Sequence, residues 1–162
     1  MVGSRTVRRR AIKRQGFVLI AMCATLFLLL GMIGLAFDLG RVYVARNEAQ
    51  VYTDAAALTA ATKLDGTVAG LDQARAAVKG LPGRWNFGSL PITGATVEFS
   101  ADGKKWLATA SQTAPSESLR LVRVSAPANT VEITFLRATG SPSSLLVPAT
   151  SVAQSQPVRL IE

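Results

Sequence analysis

The stretch Phe17 to Phe37, FVLIAMCATLFLLLGMIGLAF, runs for 21 residues without a charge, a proline or an amide side chain. Coiled as an α-helix it measures about 31 Å, close to the roughly 30 Å hydrocarbon thickness of a bilayer. The core helix of a soluble domain carries a polar stripe. Here Thr25 is the only hydroxyl. A cleavable secretory signal has a shorter apolar region, about 7–15 residues, followed by a small-residue cleavage site. This run is longer and ends in Ala36-Phe37-Asp38. The reading is an uncleaved membrane anchor over residues 16–37. Cys23, the one cysteine, sits at membrane depth as a small hydrophobe and excludes a disulfide framework within the chain.

The flanks orient that span. Of 162 residues, 18 are Lys or Arg and 10 are Asp or Glu, a net charge of +8. Arg5, Arg8, Arg9, Arg10, Lys13 and Arg14 stand within residues 1–15 with no acid, so that segment alone carries +6. The other 147 residues hold 12 basic and 10 acidic side chains, only +2. Basic residues are retained on the cytoplasmic side, which places the N-terminus inside and residues 38–162 outside. A nucleic-acid module would spread its basic residues over a folded face, so no nucleic-acid partner is expected.

Beyond the span the helical pattern continues. Residues 38–63 contain no proline and one glycine, with seven alanines from Ala45 to Ala61. Leu39, Val42, Ala45, Ala49, Tyr52, Ala56 and Ala60 recur at three- and four-residue intervals and form one narrow apolar stripe. One rod from about residue 16 to about 63 follows, its outer half amphipathic. The alanines admit close approach, either of the chain's own head or of a partner helix. Gly40 is a flexible joint or a close-packing point, since Gly in a helix interior costs about 1 kcal/mol relative to Ala.

The run from Ala36 to Ala61, AFDLGRVYVARNEAQVYTDAAALTAA, resembles the N-terminal signature of the TadE/TadG-like family of Flp (tight adherence) pilus assembly, closest to its TadG-like N-terminal domain. The positions that carry the resemblance are Asp38, Gly40, Arg41, Tyr43, Arg46, Gln50, Asp54, Ala56 and Ala60, polar and small residues that agree in spacing. The resemblance covers about the first 63 residues. It implies a non-enzymatic inner-membrane protein of Tad/Flp pilus assembly, acting through helix and head contacts with other subunits or a second copy. It also raises a processing site between Gly16 and Phe17, where Lys13-Arg14-Gln15-Gly16 fits the leader of a minor pilin. Pilin-like substrates carry Glu five residues past the cut, whereas this chain has Ala21, which favours the uncleaved form.

All seven prolines lie after residue 80. This break in composition separates the rod from a small β-rich head over residues 65–162. Asp65-Gly66-Thr67 ends the rod with turn chemistry. Val68–Lys79 has the periodicity of a short second helix, and residues 80–94 form a Gly- and Pro-rich loop. Thr96–Ser100 alternates as a strand, with Asp102-Gly103 as a hairpin turn into Lys105–Ala110. Leu119–Ser125, Thr130–Leu136 and Leu145–Ala153 supply further strands, with Val131, Ile133 and Phe135 on one face. The fold class expected is α+β and membrane-anchored. Its parts are a cytoplasmic basic tail (1–15), a transmembrane helix (16–37), an amphipathic helix (38–64) and an antiparallel head (65–162).

Chemistry is scarce. There is no histidine, so the usual general base and the usual metal ligand are both missing. No phosphate loop, calcium loop or dinucleotide fingerprint occurs. Lys104 and Lys105 flank a turn and read as solvated charges. Trp85, Phe87 and Trp106 read as core of a small head. No cofactor, metal or small-molecule substrate is expected. The expected partners are the lipid bilayer and other pilus-assembly subunits. The competing reading, of a different class, is a membrane-anchored envelope or surface-binding protein.

Overall fold

The computed structural model describes residues 5–108 and 118–156. Its elements are α1 (Arg5–Ala61), α2 (Val68–Gly80), β1 (Arg84–Trp85), β2 (Leu90–Pro91), β3 (Thr96–Ser100), β4 (Leu121–Ser125), β5 (Asn129–Glu132), a 3-10 turn (Leu136–Thr139), β6 (Ser144–Val147) and β7 (Thr150–Gln154). The architecture is α+β, as the composition break implies. With no proline before residue 82, nothing interrupts α1, which passes through Gly40 as continuous helix. The helix also extends back to Arg5, into the segment read as a basic tail.

The chain divides into two compact units. One comprises the chain up to Leu39 together with Ile133–Ser143; the other comprises Gly40–Glu132 and Ser144 onward.

In the first unit, the α1 residues read as the span carry their apolar side chains outward, Phe27, Ile33 and Phe37 among them. Among the described residues, this is the one helix long and apolar enough to cross a membrane. The segment Ile133–Ser143 is closed at its ends by a hydrogen bond from the Ile133 N–H to the Ser143 carbonyl. Gly140, in the left-handed region at φ 86°, ends the 3-10 turn. The sequence reading carried a strand through to Leu136. Instead β5 stops at Glu132, because the amides of Thr134, Phe135 and Leu136 turn to the Asp38 carboxylate rather than to a neighbouring strand. Phe135 accordingly does not share a strand face with Val131 and Ile133.

In the second unit the central sheet is antiparallel, in the order β3-β4-β7. Its register sets Phe99 opposite Val122 and Val122 opposite Ala153, with Val124 between Val97 and Ser151. These rows form the buried face, packed in one core with Ala45, Ala49, Tyr52, Ala56 and Ala60 of α1 and Leu71, Ala74 and Val78 of α2. On the opposite face Arg123 donates to Glu98 at 2.8 Å and lies 4.4 Å above the Trp106 ring. Trp85 is buried and Trp106 half-buried, but Phe87 is exposed, correcting its assignment to the core.

Two other sequence expectations change here. The Asp102-Gly103 turn forms, with the Asp102 carboxylate accepting from the Lys104 and Lys105 amides. Its return strand, however, is reduced to a single bridge between Phe99 and Leu107, and Thr109 and Ala110 lie outside the described residues. β4 pairs with the whole length of β3 along one edge, and Leu107 meets Phe99 on the other. Leu145–Ala153 is likewise two strands: β6 pairs with β5, and β7 pairs with β4.

Candidate functional site

The signature residues lie on α1, and their helical positions sort them. Within the second unit the stripe Ala45, Ala49, Tyr52, Ala56, Ala60 faces inward, and Ala56 and Ala60 are 0% exposed. Small side chains keep the helix close to the sheet, so each contributes little burial itself but lets Phe99, Val122 and Leu71 fill the layer. Tyr52 packs its ring over Gly83, where any Cβ would overlap the ring. Burial raises the Tyr52 phenol above its ordinary pKa.

Gln50 and Asp54 stand one turn apart at the margin of this face. The Gln50 amide donates to Asp54 at 3.0 Å and to the Ser151 hydroxyl at 3.0 Å. Ser151 in turn donates to Asp54 and exchanges a 2.8 Å hydrogen bond with the buried Thr53 hydroxyl. Two signature residues therefore join α1 to strand β7 through a serine 97 positions away from Asp54. The Ser151–Asp54 contact fastens β7 to α1.

Glu48, which the sequence reading did not single out, has a comparable part. Its carboxylate accepts the amides of Phe87 and Gly88, each at 3.1 Å. Asn86, Phe87 and Gly88 all have positive φ, at 54°, 59° and 69°. Successive amides in such a turn make an anion-accepting concavity, and Glu48 fills it, holding the β1–β2 ribbon on the helix. Asn86 and the glycine are ordinary in that region; the phenylalanine is strained there. The sequence reading gives residues 80–94 only as a Gly- and Pro-rich loop; the β1–β2 ribbon within it and its helical anchor come from the fold.

The remaining signature positions are not in this core. Gly40 has open space where a Cβ would stand, so it is not a close-packing point among the described residues. Tyr43 and Arg46 are exposed and Arg41 is half-buried. Tyr43, Val51 and Leu58, all exposed, fall within about 80° of helix circumference and form a second apolar stripe, opposite the alanine one. Asp38, in the first unit, is only 1% exposed. Its two carboxylate oxygens accept from Thr134 at 3.1 Å, Phe135 at 2.8 Å and Leu136 at 2.7 Å. Phe135 meets Phe37 edge-on at 5.9 Å between ring centres and lies against Gly34. Among the described residues no group of His, Cys, Asp and Glu could hold a metal ion.

No curated protein and no solved structure matches this chain. A family model described as "Putative Flp pilus-assembly TadE/G-like" matches residues 16–63, which take in the apolar run, Asp38, the alanine stripe and the Gln50–Asp54 pair. Over that stretch the chain is similar to the TadE/G-like Flp pilus-assembly family.

Proposed function

We propose that this chain is a non-enzymatic, single-pass component of Tad/Flp-type pilus assembly in the inner (cytoplasmic) membrane. Its N-terminus is cytoplasmic and its head extracytoplasmic, and it acts through contacts of helix and head with other subunits or a second copy. The observation that carries this reading is the family match over residues 16–63 on a helix that uses one stripe internally and leaves another free. The alanine stripe is consumed by the chain's own core. The surface open to another subunit is therefore the Tyr43, Val51 and Leu58 face, and Val51 is 69% exposed.

A photo-crosslinking residue at Val51 or Leu58, expressed with the pilus machinery, is expected to capture a pilin-like or assembly subunit or a second copy. Val51→Asp is expected to reduce piliation with the head still folded. Full piliation in that variant, with no crosslinked species, would favour the anchored surface-binding reading instead. An N-terminal peptide beginning at Phe17, found only with prepilin peptidase present, would replace both with a minor pilin cut after Gly16.

A further inference from the structure

We propose that the segment Ile133–Ser143 is a membrane-interface wedge: Asp38 fastens it to the end of the apolar run, and Phe135 enters the lipid there. The proposal rests on the reading of residues 16–37 as a span. Its geometry lies wholly within the first unit.

Gly34 is three residues before the end of the apolar run at Phe37, about 5 Å inside it along the helix axis. A Cβ on Gly34 would come within 2.7–2.8 Å of the Cβ, Cγ and Cδ1 atoms of Phe135. The Phe135 ring also meets Phe37 edge-on. Two independent contacts thus hold Phe135 level with residues that are themselves part of the run. Gly34 is the one buried position between residues 16 and 37, and its lack of a side chain is what admits the ring.

Phe135 is nevertheless 51% exposed. Half of a phenylalanine facing outward, continuous with the uncharged surface of Phe17–Phe37, is placed for lipid and not for water. The backbone that delivers it is polar and would be costly at that depth without partners. The Asp38 carboxylate supplies them by accepting three successive amides. Arg137, exposed and two residues on, is the cation suited to headgroup phosphates. The occupant of this surface is the bilayer itself.

The test uses the full chain in phosphatidylethanolamine–phosphatidylglycerol vesicles. In a Cys23→Ser background, nitroxides are placed at Phe135→Cys, at Leu26→Cys in the middle of the run, and at Leu146→Cys on β6. Oxygen accessibility relative to a water-soluble nickel chelate is expected to be several-fold higher at 135 than at 146. Aqueous behaviour at 135 with membrane behaviour at 26 would overturn the wedge and leave the span standing. Aqueous behaviour at both would remove the span and the wedge together. Because a label at 135 could disturb the loop, the unlabelled wild type is also irradiated with a diazirine-bearing phospholipid. A lipid adduct on the peptide containing Phe135, lost in Asp38→Ala, supports the proposal. An adduct equally abundant in that variant overturns the fastening role, and its absence from wild type overturns the wedge.

Discussion

Asp38 is a buried carboxylate that accepts three successive backbone amides, and that defines the effect of replacing it. Asp38→Ala removes the acceptor of three N–H groups at once, and an unsatisfied buried donor costs about 1–3 kcal/mol. The expected result is local opening of Ile133–Ser143, seen as faster hydrogen exchange at residues 134–136, with the α2 and β4 amides unchanged. Acid gives a second test. Asp65 is held below the ordinary carboxylate range by the Thr67 hydroxyl and amide, and Asp102 by the amides of Lys104 and Lys105. A depressed folded value means that the stabilisation is present above the unfolded value, 3.8, and is lost as pH falls through the folded one. Both turns should therefore loosen only below about pH 4, followed by exchange or tryptophan emission, and Asp65→Asn with Asp102→Asn should flatten that acid limb.

At the scale of the element, α1 presents two stripes with opposite tolerance. Ala56→Leu and Ala60→Leu push extra carbons into fully buried positions and are expected to destabilise the second unit by about 1–3 kcal/mol, read as a lower melting temperature. Leu58→Ser, on the exposed stripe, should leave the stability within about 0.5 kcal/mol of wild type. The alanine periodicity was visible in sequence and identified the inward face. Whether it faced the chain's own sheet was not visible, because close packing of small residues looks the same against any neighbour. The short second helix was legible too: Thr67 is its N-cap, accepting from the Gly70 amide, and Thr67→Ala should cost about 1 kcal/mol. The hairpin partner after Gly103 was legible, since Leu107 bridges Phe99, but within the described residues the pairing is a single bridge and not a strand.

For the whole molecule, the charge asymmetry about the span predicts topology. Protease added to spheroplasts is expected to remove the residues beyond Asp38 while the basic N-terminal segment stays protected. Digestion of that segment with an intact head would reverse the orientation. The same experiment separates anchoring from assembly, since Val51→Asp should keep the protected fragment and lose only the crosslinks.

The membrane-length helix, the break near residue 65, the second helix and the family signature were all determined by the sequence itself, because each depends on composition or on periodicity within one stretch of chain. Residues that act across large separations were decided only by the fold. Ser151 meets Asp54 over 97 positions, Glu48 meets Gly88 over 40, and the amide of Leu136 meets Asp38 over 98. None of these partners has a local pattern, because a serine or an amide is common everywhere and acquires a role only from what stands opposite it. Asp38 shows the division most clearly. Its place after the apolar run is written in the sequence, but its burial under three amides exists only once Ile133–Ser143 has folded back onto the helix.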